Sequence, residues 1–179
     1  MTVLLLVFVG QGLYLAHTNS IVPDELTHLT SGYAYLKYRN FKLNPEHPPF
    51  VKQLAALPLL FMTLDPPKYA RSKDWIAQFR LGDEFIFSPN NPTEKMIFRS
   101  RAVLAPFALI LGILLFSWIK LLWGAGPALY GLCLYAFVPD LIVHSLFVTT
   151  DFAVTTFMFG TLYMLYLFSR TGMFKNLVF

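Results

Sequence analysis

"AVLAPFALILGILLFSWIKLLW", Ala102 to Trp123, decides the fold class. A helix needs roughly 20 apolar residues to cross a bilayer, and about 17 is the lower limit. This stretch meets that length. Its one charge, Lys120, stands near the end, where it can snorkel to the interface. Downstream, Gly124-Ala125-Gly126-Pro127 makes a tight turn into a third apolar helix, Pro127 to Phe147, whose far end is interrupted by Pro139 and Asp140. A fourth, Phe152 to Phe168, is followed by Arg170 and Lys175. Upstream, Val3 to His17 is short and carries Gln11. No Lys or Arg precedes it and no small-x-small cleavage site follows, so it reads as helix rather than signal peptide. Composition points the same way: of 179 residues 56% are hydrophobic, 17% aromatic and only 13% charged. The expected class is an all-α membrane protein with about four transmembrane helices, covering residues 3–17, 102–123, 127–147 and 152–168.

The net charge of +4 does not indicate nucleic acid, because the Lys and Arg residues are scattered, without a block or recognition motif. Membrane lipid headgroups are the expected counter-charge. The single Cys133 lies in an apolar run and reads as a small buried hydrophobe, with no disulfide framework around it.

Residues 18–101 form one long connection, and plain loops above about 15 residues are uncommon unless functional or disordered. Its composition favours order. In "DELTHLTSGYAYLKYRNF", Leu26, Leu29, Tyr33 and Leu36 share one helical stripe while Asp24, His28, Ser31 and Tyr35 share another, which predicts an amphipathic interfacial helix near 24–39. Pro48-Pro49 starts a second short helix near 49–64, interrupted by Lys52 and Pro58 and therefore interfacial or re-entrant. A further short helix is expected around Asp74 to Phe79.

Two crossings separate this loop from Val148-Thr149-Thr150-Asp151, so both face one side, and Lys120, Arg170 and Lys175 mark the opposite side as cytoplasmic. Acids and histidines at membrane depth are costly and are functional candidates. Asp24 and Glu25 also suit a helix start, Glu46-His47 a solvated turn, and Asp151 an N-cap. Taken together, however, Asp24, Glu25, Glu46, His47 and Asp151 share one face with Lys52, Arg99 and Arg101. Transfer from a lipid-linked phosphate needs such a set. A carboxylate takes the acceptor proton, and cations or a metal stabilise the departing phosphate.

Three segments carry a family resemblance: "PDELTHLTSGYAYLKYRNFKLNPEHPPFVKQLAALPLL", "FRSRAVLAPFALILGILLFSWIKLLWG" and "YAFVPDLIVHSLFVTTDFA". In order and spacing they resemble the lipid-carrier-dependent glycosyltransferases of the protein O-mannosyltransferase type, glycosyltransferase family 39 with its C-type membrane fold, which includes aminoarabinose transferases. The resemblance implies transfer of a sugar from a polyprenyl-phosphate donor to a protein or lipid-glycan acceptor at the outer face of a bacterial plasma membrane. It implies Asp24 as catalytic base, with Glu25 beside it and Asp151 as the second outer acid. Glu46 falls on a position that contacts a divalent metal in some members, a metal that is helpful rather than obligatory. Those members carry Lys next, where this chain has His47. His28, His47, Lys52, Arg99 and Arg101 are the expected substrate-binding groups. The resemblance spans only the N-terminal part of the family's architecture, so the expectation is a piece of a longer enzyme, inactive alone. A noncatalytic membrane assembly subunit and a transporter fragment are the alternatives.

Overall fold

The computed structural model describes residues 1–67 and 77–172. Lys175 and the first residues of the helix expected at Asp74 to Phe79 lie outside them. The described residues are helical, with no strand among them. The helices are α1 (Thr2–Thr18), α2 (Pro23–Tyr38), α3 (Pro49–Ala56), α4 (Ala77–Ile86), α5 (Thr93–Ala102), α6 (Ala105–Trp123), α7 (Ala125–Phe137), α8 (Pro139–His144) and α9 (Asp151–Thr171), with a 3-10 turn at Leu57–Phe61. Among the described residues two stretches are long and apolar enough to cross a membrane, Thr93–Trp123 and Asp151–Thr171. A third would be the pair α1 and α2, were it not bent by 92° between them. By length and composition this is an integral membrane protein with two such helices, or three with the bent pair. Ala125–Phe137 is apolar but short.

The chain forms two compact units. The first comprises Met1–Gly12, Pro106–Ser145 and the chain from Asp151. Its core is aromatic. Phe8, fully buried, lies 4.3 Å from the Tyr135 ring and 6.5 Å from Phe152, and Trp118 packs against Phe159, Tyr163 and Tyr166 at 5.2 to 5.7 Å.

The helix read across Pro127 to Phe147 is two helices. Val138, held extended ahead of Pro139 (φ −74°, ψ 117°), separates α7 from α8. The break leaves carbonyls near the end of α7 without their helical donors, and in an apolar setting an unsatisfied one is costly. Gln11 answers this: its Nε2 donates to the Ala136 carbonyl at 3.1 Å. The polar residue that makes Val3 to His17 look marginal as a span therefore satisfies a backbone acceptor.

The second unit comprises Leu13–Ala105 and Leu146–Thr150. Its centre is α2. The stripe pattern predicts a helix with one wet face, yet Glu25 and every residue from Thr27 to Tyr35 are buried. Small residues explain the difference. A Cβ on Gly32 would collide with the Lys52 carbonyl of α3, and one on Gly82 of α4 would sit 2.9 Å from Leu26. The helices thus close on α2 from two sides at backbone contact, leaving no room for water along its Thr- and Ser-bearing face.

Candidate functional site

Pro23 stands first in α2, where its missing N–H costs nothing. Glu25 in the same first turn reaches back to accept the Val22 N–H at 3.0 Å through Oε2. The rest of its carboxylate is filled from far along the chain. Arg101 donates from Nε to Oε1 at 2.8 Å and from Nη2 to Oε2 at 2.6 Å, and the Val148 N–H donates to Oε1 at 3.0 Å. Two oxygens thus receive four donors, and neither side chain touches solvent. Arg101 is equally saturated. Its remaining N–H groups go to the carbonyls of Ala16, Asn19 and Ser20, each at 2.9 Å, and Phe147 lies 4.6 Å from its guanidinium carbon. This geometry locks the end of α1, the start of α2, the end of α5 and the 146–150 segment to one another.

One turn along α2, His28 is buried, with Nδ1 2.8 Å from the Val148 carbonyl. Glu25 and His28 thereby hold both the N–H and the carbonyl of Val148. Burial lowers the His28 pKa. The Val148 carbonyl opposes that, the charges of Lys52 and His47 add to it, and Asp24 opposes it. The His47 ring stands edge-on to His28 with centroids 5.0 Å apart.

His47 and Glu46 belong to the turn in "LNPEHPP", and the turn is built around Lys52. Asn44 takes the left-handed conformation at φ 57°, which asparagine tolerates better than most side chains. This aims its carbonyl at Lys52 Nζ, 2.7 Å away. The His47 carbonyl accepts from the same ammonium at 2.8 Å, and the Tyr35 hydroxyl lies 3.4 Å from it. The Tyr35 hydroxyl shares its own proton between the Leu43 and Asn44 carbonyls at 2.8 and 3.0 Å. Lys52 is wholly buried. Burial lowers its pKa to about 8 against the pull of Glu46, and burial pushes Tyr35 up to about 12.

The sequence-derived residues therefore divide by exposure. Glu25, His28, Lys52 and Arg101 are buried, whereas Asp24, Glu46, His47 and Arg99 are exposed. Asp24, His28, His47, Lys52 and Glu46 are linked as an electrostatic cluster, each acting on another's charge. Asp151, also exposed, opens α9 in the first unit. Tyr35 and Asn44 are members that sequence reasoning missed as site residues. Their signal was the Asn-Pro turn and a tyrosine on the same stripe as His28.

A divalent metal at Glu46 needs further ligands. Among the described residues no group of three or more His, Cys, Asp or Glu side chains is arranged to hold an ion. Compared with protein-family models, with curated proteins and with solved structures, the chain matches none.

Proposed function

We propose that this protein is part of an integral membrane glycosyltransferase that moves a sugar from a polyprenyl-phosphate donor to a hydroxyl of a protein or lipid-glycan acceptor, at the outer face of a bacterial plasma membrane. The observation that carries the reading is the pairing of an exposed acid, Asp24, with a buried and immobilised support. Asp24 stands in the first turn of α2, and the next residue, Glu25, is bound by four N–H donors. A base held in this way keeps its position as substrate arrives.

In this reading Asp24 accepts the proton of the acceptor hydroxyl as the new C–O bond forms at the anomeric carbon. The bond from that carbon to the phosphate oxygen breaks, and the electron pair leaves with the phosphate. His47 and Arg99, the exposed basic groups, meet the developing negative charge. Glu25, Lys52 and Arg101, whose hydrogen-bonding capacity is met by protein, are positioning residues. His28 orients the Val148 peptide and borders His47.

The saturation of the Glu25–Arg101 pair also suits a noncatalytic assembly subunit. Activity separates the two readings. Asp24→Asn keeps size and much hydrogen bonding while removing the base, so transfer from a labelled polyprenyl-phosphate sugar should fall about 10²- to 10⁴-fold, with donor binding and membrane level unchanged. Near-normal turnover in that variant would leave Asp24 a helix-start acid and favour the assembly subunit.

A further inference from the structure

A cavity of about 740 Å³ lies between the end of α1 and the start of α5. Its volume is in the range of small-molecule sites, roughly 300–1,000 Å³. None of the residues proposed above for transfer lines it. A second, apolar hollow of about 410 Å³, bordered by Leu13 and Tyr14, shares His17, Thr18 and Phe98 with it. The two therefore adjoin, with part of one wall in common. His17 and Phe98 stand at their junction with ring centroids 5.6 Å apart.

The larger chamber is mostly apolar in its lining, but it carries both signs of charge. Lys95 and His17 can meet an anion, and Glu94 can meet a cation. The α5 helix starts at Thr93 without a side-chain cap; the Thr93 N–H is taken by the Asn91 carbonyl, while Glu94 and Lys95, which bear the next two N–H groups, line the chamber, and this favours phosphate there. A head group of a single sign would meet like charge on one wall. A zwitterion satisfies both. The wall from Ala16 to Ser20 is fixed from behind, because Arg101 binds its carbonyls. The smaller hollow, in contrast, offers almost only apolar surface, suited to the first part of an acyl chain.

We propose that this paired chamber binds one zwitterionic glycerophospholipid of the phosphoethanolamine class, with phosphate toward Lys95 and His17, ammonium toward Glu94, and a tail leaving past Phe98 between Leu13 and Tyr14. The site is independent of the transfer reaction proposed above, and it is tested without measuring that reaction.

The experiment reconstitutes the full chain in vesicles of equal parts phosphatidylethanolamine and phosphatidylglycerol, releases it in mild detergent, and weighs the retained lipid by native mass spectrometry. Retention of one phosphatidylethanolamine is expected, favoured over phosphatidylglycerol by at least about tenfold. Glu94→Gln should erase the preference while keeping binding, and Lys95→Met should lower retention of both lipids. Leu13→Trp, which fills the apolar hollow, should lower retention as well. Should a variant lose helix content, the wild-type chain still decides the matter, because soluble glycerophosphoethanolamine without tails should displace the lipid only weakly. Equal retention of the two lipids, an undiminished preference in a folded Glu94→Gln protein, or efficient displacement by the tailless head group would each overturn the proposal.

Discussion

Arg101 and Glu25, 76 positions apart, meet side by side with two hydrogen bonds of 2.8 and 2.6 Å and no exposure to solvent. Removing one partner strands the other in a buried setting. Glu25→Gln or Arg101→Met should therefore destabilise the second unit by about 3–5 kcal/mol, the usual penalty for breaking a buried pair. Arg101→Lys should fare little better, since one ammonium cannot reach Glu25 and three carbonyls at once. Thermal unfolding of the detergent-solubilised chain checks this, and a Glu25→Gln protein as stable as the parent would refute it.

Lys52 makes stability depend on pH. Its proton is held less tightly in the fold, at about 8, than at the ordinary 10.5, so between those values the unfolded chain carries more protons. Stability should then rise with pH from about 8, by up to about 1.4 kcal/mol per unit, and be flat below that from this residue. Tyr35 works in the opposite sense. Its proton is held up to about 12 rather than 10, so its contribution declines above pH 10. A maximum near pH 10 is expected in denaturant titrations, and Lys52→Met should remove the rise.

Gln11 supports a chain break in the apolar unit. Gln11→Leu should cost about 1–3 kcal/mol, because the Ala136 carbonyl loses its donor where water is scarce. In Gln11→Leu with Pro139→Ala the penalty should shrink, since the restored N–H at position 139 lets α7 continue. A double-mutant cycle on unfolding free energies measures the coupling.

Gly32 is a contact point between backbones. Gly32→Ala should push α3 away from α2, at a cost of about 1–3 kcal/mol, although alanine is the better helix former. Gly10, with open space around its Cα, is the control, and Gly10→Ala should be neutral or stabilising. Equal effects at the two positions would exclude the packing explanation.

The span Thr93–Trp123 has a sidedness that thiol labelling can read. In the proposed orientation, with Lys120 toward the inner side, and with Cys133 replaced by Ser, a cysteine at Pro89 should react with an impermeant reagent in intact cells and one at Gly126 should not. Reaction at both would mean that the stretch does not cross.

The all-helical membrane class was legible because length and apolarity are properties of the residues themselves. So was the interruption at Pro139, which follows from a missing N–H. The interior of the second unit was not. Lys52 and Arg101 read as cations for a substrate, yet most of the acceptors that occupy them are backbone carbonyls, of Asn44 and His47 in one case and of Ala16, Asn19 and Ser20 in the other. Every residue carries such a carbonyl, so no letter in the sequence announces one. The depth of α2 was hidden for a related reason: Thr27, Thr30 and Ser31 count as polar in a stripe, but beside Gly32 they are also small enough to be packed over.

The Val22 and Val148 N–H groups both end on Glu25, and neither lies within a helix. Amides in connecting segments ordinarily trade hydrogen for deuterium with the solvent within local fluctuations. These two have no such shortcut, because releasing either one requires the carboxylate to let go of Arg101's neighbourhood. They should be the slowest-exchanging loop protons in the molecule, and their common exchange rate would serve as a built-in clock for the opening of the whole second unit.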